Sequence, residues 1–119
     1  MNGRDEIIVS RILRYCYEIR EAHRLFHSDM ALFLDAQSGF IYRNSVAMPV
    51  LQIGELAKNL SPEFRAEHNA LPWRAMIRMR DLFAHHYGSL DFEQLWDTST
   101  NGIDEIVRYF QNGGGNSYT

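Results

Sequence analysis

A single cysteine, three prolines, almost no lysine and no long apolar run mark this chain of 119 residues, and each scarcity excludes something. A lone thiol, Cys16, makes an intrachain disulfide impossible, which fits a reducing, cytoplasmic setting. Cys16 falls inside an amphipathic helical pattern and reads as a packing residue rather than a nucleophile. No apolar run approaches the roughly 18 residues that a membrane-spanning helix needs. The opening Met1–Glu6 lacks the apolar segment of a signal peptide. The net charge of -3 argues against a surface coated with basic groups for broad nucleic-acid binding. Yet of the twelve basic residues only Lys58 is a lysine, and arginine's planar fork suits carboxylates and phosphates better than an ammonium does. A local arginine patch inside a mildly acidic protein is therefore compatible with the composition. Strand-like alternation and internal repeats are also lacking.

What is present is helical periodicity. Residues 5 to 27 carry Ile8, Ile12, Tyr15, Ile19, Ala22 and Phe26 at steps of four and three, one apolar stripe on a long helix. His23 and His27 lie near its end, where the helix dipole favours a histidine cation. Their i, i+4 spacing also fits zinc, but no third ligand stands nearby in sequence. Ser28-Asp29 predicts an N-cap for a short helix from Met30 to about Ala36, closed by Gln37-Ser38-Gly39. A helix from Phe40 to about Leu60 follows, with Val46, Val50, Ile53 and Ala57 on its stripe. Pro49 either kinks it or marks where its regular part begins. Gly54 costs about 1 kcal/mol in mid-helix relative to alanine and points to close approach of another helix. Glu55 beside it is a carboxylate in want of an arginine, Arg78 or Arg80.

Ser61-Pro62-Glu63 is an N-cap with proline at the first helical position, opening a short segment to about His68. Pro72 starts the next helix, with Trp73, Met76, Ile77, Met79 and Phe83 on its apolar side and an end near Tyr87-Gly88. The last helix begins near Phe92 and buries Leu95, Trp96, Ile103, Ile106, Val107 and Phe110; the polar Thr98–Gly102 stretch is a place where it would break. Residues 112 to 119 cannot bury enough to become ordered. Four long helices with short joints predict an all-α, antiparallel up-and-down four-helix bundle with one or two short extra helices, a single domain over residues 1 to 111. Trp73 and Trp96 read as core anchors, while Tyr42 and Arg43 are open candidates for lining a cleft.

Chemistry concentrates in Arg80-Asp81-Leu82-Phe83-Ala84-His85-His86-Tyr87. On a regular helix Arg80 and Tyr87 share a face, and Asp81 can accept a hydrogen bond from His85, fixing its tautomer. Arg80 and His85 diverge by roughly 140°, so one chain does not aim both at one phosphate; a two-fold dimer packing this helix on its mate would. Such a cleft suits metal-independent RNA cleavage. A histidine takes the proton of the attacking 2′-hydroxyl, and an arginine stabilises the charge on the phosphorane. The bland alternative is that His85 and His86 cap a helix end and Arg80 forms an ordinary ion pair.

The spacing Arg80-x4-His85-x-Tyr87 resembles the R-x4-6-H signature of HEPN ribonuclease domains, in the R-x4-H-x-Y form of HepT-type toxins. Ile53–Leu60 resembles that family's "IGEAAK" helix, Leu71-Pro72-Trp73-Arg74 its "P-W" entry to the motif helix, and Asp91 with Trp96 the start of its last helix. The resemblance runs from about residue 5 to 111, with the blocks in order. It implies a helical bundle that dimerises through the motif helix, and an endoribonuclease toxin of a type II toxin–antitoxin pair needing no metal or cofactor. It implies Arg80 and His85 as the catalytic pair, with Asp81 and Tyr87 supporting. Asp81 stands where the family often has asparagine, which makes the cleft less positive. His86 falls at the variable position. Tyr87 matches the tyrosine that the family's partner, an MNT-type nucleotidyltransferase antitoxin, can convert to O-AMP-tyrosine, blocking RNA by charge and volume. The resemblance also admits a non-catalytic HEPN subunit that presents substrate to a nucleotidyltransferase. Acidic residues from Asp91 to Glu105 either face that partner or form a solvated helix face.

Overall fold

Four long helical segments and two short ones follow from the periodicities above. The structure, a computed structural model, describes residues 3–85 and 91–113. It contains α1 (Gly3–Leu25), α2 (Met30–Leu34), α3 (Phe40–Lys58), α4 (Pro62–Glu67), α5 (Trp73–His85), α6 (Phe92–Asp97), a π-helical turn (Thr98–Gly102) and α7 (Ile103–Gln111). The architecture is all-helical, with no strand among the described residues. The predicted ends of α5 at Tyr87-Gly88 and most of the tail lie outside the described residues. Among the described residues, no helix is long and apolar enough to cross a membrane.

The central element is α3, which packs against α1 on one side and α5 on the other, while α7 leans on α1 and α6 on α2. The stripe of α1 explains the first contact: Ile8, Ile12, Cys16 and Ile19 are buried, one turn after another. Cys16 is thus a core residue, and burial pushes its thiol up to about 12, where it is inert at neutral pH. The helix α3 runs through Pro49, which is itself buried in its apolar face.

Local chemistry sets the joints. Asp29 caps α2 by accepting from the Leu32 amide at 3.1 Å, and Ser61 caps α4 by accepting from that of Phe64 at 3.1 Å. The Ser61 hydroxyl also donates to Asp5 at 2.7 Å, so a buried carboxylate at the start of α1 holds the joint between α3 and α4. Arg43 is not at a cleft. Its Nη1 donates to the Phe33 and Asp35 carbonyls at 2.6 Å each and its Nη2 to that of Ala36 at 3.2 Å, filling the orphan acceptors at the end of α2. Tyr42 is likewise buried, stacked on Phe26 in an aromatic cluster with Phe33 and Trp96.

The expected break at Thr98–Gly102 is a π turn instead, and the chain stays helical from Phe92 to Gln111. The wider turn takes up one extra residue. Hydroxyls of Ser99 and Thr100 both donate to the Trp96 carbonyl, at 3.1 and 2.7 Å, satisfying an acceptor that an α-turn would have used.

Candidate functional site

The site is built where α3 and α5 cross, and Gly54 decides how closely they cross. A Cβ at that position would stand 2.6 Å from Arg80 Cβ and 2.7 Å from the Met76 carbonyl oxygen. Only a residue without a side chain lets the α5 backbone in so far. The close approach predicted for Gly54 is therefore made, and its partner is Arg80.

Arg80 leaves the crossing half-buried and held by two carboxylates. Its Nε lies 2.7 Å from Glu55 Oε2, and its Nη1 donates to Asp81 Oδ1 at 3.2 Å. The same Asp81 oxygen accepts from Lys58 Nζ at 3.3 Å. Glu55 thus finds the arginine it was expected to need, although its side chain remains 48% exposed rather than buried. The hydrogen bond from Arg80, helped by Lys58, holds the Asp81 carboxyl below its ordinary range. Two cations and two anions make the cluster neutral. Beside it runs an open groove of about 300 Å³ between α3 and α5, walled by Met48, Leu51, Gln52, Phe83 and Ala84 with Glu55 and Arg80 at its polar end.

His85 closes α5 and is exposed. It does not line the groove. The expected Asp81–His85 hydrogen bond is not formed, because Asp81 turns its oxygen to Arg80 and Lys58. Of the sequence-predicted set, Arg80 and Asp81 come together, His85 sits apart on the same helix, and Tyr87 lies outside the described residues, as does His86. The Lys58 contact was missed, although α3 and α5 crossing at Gly54 would place a residue one turn from Gly54 against α5.

His23 requires a correction. It is no surface cation at a helix end but is buried between Tyr42 and Ser99. The Ser99 proton goes to the Trp96 carbonyl, so Ser99 Oγ accepts from His23 Nε2 at 3.0 Å. Nδ1 then accepts from the Tyr42 hydroxyl at 2.5 Å, which defines the neutral Nε2–H tautomer. Burial pulls the His23 pKa below the ordinary histidine value. Both ring nitrogens are engaged, which leaves none for a metal. Among the described residues no group of three or more His, Cys, Asp or Glu stands close enough to hold one.

Comparison with known proteins places the chain in a family. The family model described as "Ribonuclease HepT-like" matches residues 7–112. A protein of Caldanaerobacter subterraneus subsp. tengcongensis named "Putative RNase TTE0752" is 32% identical over 84 residues, 63% of this chain and 75% of that one. The "Probable ribonuclease HepT" of Thermococcus cleftensis is 39% identical over 59 residues, 50% of this chain and 54% of that one. "Putative RNase MJ0127" of Methanocaldococcus jannaschii is 36% identical over 56 residues, 47% of this chain and 46% of that one. The chain thus spans about half the length of the last two relatives. No solved structure matches it significantly. The fold is an all-helical bundle, and the family match over nearly the whole chain gives its class. The chain is a member of the HepT-like ribonucleases.

Proposed function

We propose that the chain is the ribonuclease toxin of a type II toxin–antitoxin pair, cleaving RNA without a metal. His85 takes the proton of a ribose 2′-hydroxyl as that oxygen attacks the adjacent phosphorus. Arg80, held at the polar end of the groove by Glu55 and Asp81, stabilises the charge on the phosphorane oxygens. The bond to the 5′-oxygen breaks, and that oxygen takes up a proton. The products are a 2′,3′-cyclic phosphate and a 5′-hydroxyl. The observation that carries this reading is the pre-positioned Arg80 at the Gly54 crossing. Membership of the family and the ribonuclease names of the relatives support it.

The active form is a homodimer through α5, whose two-fold axis sets Arg80 of one chain beside His85 of the other. An MNT-type nucleotidyltransferase antitoxin neutralises it by adenylylating Tyr87, which adds bulk and negative charge that oppose RNA. The neutralisation of Arg80 by Glu55 and Asp81 is the feature that favours the second reading, a non-catalytic subunit that presents substrate to a nucleotidyltransferase. Expression of wild type and His85→Ala without a partner separates the two. The ribonuclease arrests growth and cleaves RNA in the presence of a chelator, leaving cyclic phosphate ends, and the variant does neither. Cleavage that needs a divalent metal would sink the mechanism. A harmless wild type that binds a nucleotidyltransferase would establish the second reading.

A further inference from the structure

A second cleft, of about 540 Å³, opens between α4 and the start of α5. Its polar lining is Arg65, Asn69 and Arg74, set against Trp73 and Ile77. No acidic residue lines it; Glu63 and Glu67 on α4 are exposed and lie outside the lining. Neither Arg65 nor Arg74 forms an ion pair with a described residue. The Nε of Arg65 is buried and has no hydrogen-bond partner, so this arginine is not neutralised through its inner nitrogen either. The cleft also abuts the first turn of α5, which contains no acidic side chain. The amides there carry the positive end of the helix dipole. Two arginines without an ion pair and the start of a helix thus converge on one cleft.

The cleft is aligned with the Arg80 groove. Ile77 in the cleft and Arg80 and Ala84 in the groove are spaced by three and four residues, so both openings lie on one side of α5. Arg74 and Arg80 are about 9 Å apart along the axis, at 1.5 Å per residue. Lys58, reaching over to Asp81, adds a cation beside this face. We infer that the α4–α5 cleft is a phosphate subsite. It holds the backbone of a single RNA strand that runs along α5 from the Arg80 groove. The inference rests on the ribonuclease reading for the identity of the strand, but the cleft and its arginines do not depend on it.

The test uses the full chain and 2′-O-methyl oligoribonucleotides, which bind but cannot be cleaved because the attacking hydroxyl is blocked. Fluorescence anisotropy over a salt series compares wild type with Arg74→Gln and Arg65→Gln. Arg74 is exposed, so its substitution leaves the core intact and keeps the test decisive if the Arg65 variant does not fold. Each variant should bind about tenfold more weakly, and the slope of log affinity against log salt should fall by about 0.7 per lost contact. Wild type that binds the oligomer while Arg74→Gln keeps its affinity and slope overturns the subsite. Wild type that binds no oligomer overturns it too, as does displacement by inorganic phosphate as effective as by the strand, which would make the cleft a free-anion site. Arginine-dependent binding by a protein that never cleaves unmodified RNA overturns the ribonuclease and leaves the subsite standing.

Discussion

Asp81 restrains the arginine beside it. Its Oδ1 serves Arg80 at 3.2 Å and Lys58 at 3.3 Å, so a phosphate arriving at Arg80 must compete with a carboxylate already there. Asp81→Asn keeps a hydrogen-bond acceptor and removes the charge. Solvent screens an exposed pair of this kind, so the variant should lower KM for RNA only a few-fold, with kcat little changed. Steady-state cleavage over a substrate series reads this, and an unchanged or raised KM would show that Asp81 does not oppose substrate. His23 offers a second outcome at the same scale, this time in stability. Its folded pKa is depressed by burial, and the Tyr42 hydroxyl, which donates to Nδ1, would have to turn away from a protonated ring. Between the depressed folded value and the ordinary 6.5 the unfolded chain binds more protons. Stability is then full above about pH 6.5 and falls as pH drops below it, although the Asp104 charge opposes the shift. The melting temperature of wild type should decline from pH 7 to 5.5 more steeply than that of His23→Gln, which starts lower because a buried network is broken. Parallel curves would place the acid sensitivity elsewhere.

Among the elements, the crossing of α3 and α5 at Gly54 joins fold to site. An alanine there gains up to about 1 kcal/mol of helix propensity. Its Cβ, however, would stand 2.6 Å from Arg80 Cβ, and overpacking of this kind costs about 1–3 kcal/mol. Gly54→Ala should therefore lower the melting temperature and displace Arg80, reducing kcat more than tenfold. A variant of full stability and activity would mean that the crossing is not under constraint. Gly54 and Glu55 were legible in the sequence because each breaks a local rule, a glycine and a carboxylate beside an apolar stripe, and a broken rule asks for a partner. Helix spans were legible for a similar reason, since Asp29, Ser61 and Asp91 cap their own helices through local hydrogen bonds. His23 was not. Its position suggested a dipole effect, whereas its partners Tyr42 and Ser99 lie 19 and 76 residues away. The π turn was not legible either: Thr98–Gly102 has weak helix formers, yet the Ile103 amide bonds back to the Thr98 carbonyl while Ser99 and Thr100 turn their hydroxyls onto that of Trp96. Asp81 and His85 stand at the right spacing, but spacing cannot reveal that Lys58, from another helix, competes for the same oxygen.

For the whole molecule the question is how many chains complete one site. Arg80 is drawn toward α3 by Glu55, while His85 stands exposed on α5 outside the groove. The two point apart by roughly 140° on a regular helix. Met48, 60% exposed at the mouth of the groove, is apolar surface that a second copy would cover. In the dimer proposed above, a two-fold axis near the groove makes the contact isologous, so each cleft takes Arg80 from one chain and His85 from the other. Arg80→Ala and His85→Ala are each inactive alone on this arrangement. Mixed and allowed to exchange, half the dimers are heterodimers, and each has one cleft with both residues intact. Recovery of about a quarter of the wild-type rate is expected from that symmetry. Sedimentation should confirm exchange, using a size tag on one variant. If heterodimers form and no activity returns, each chain works with its own pair or every cleft needs all four groups, and the shared site is wrong.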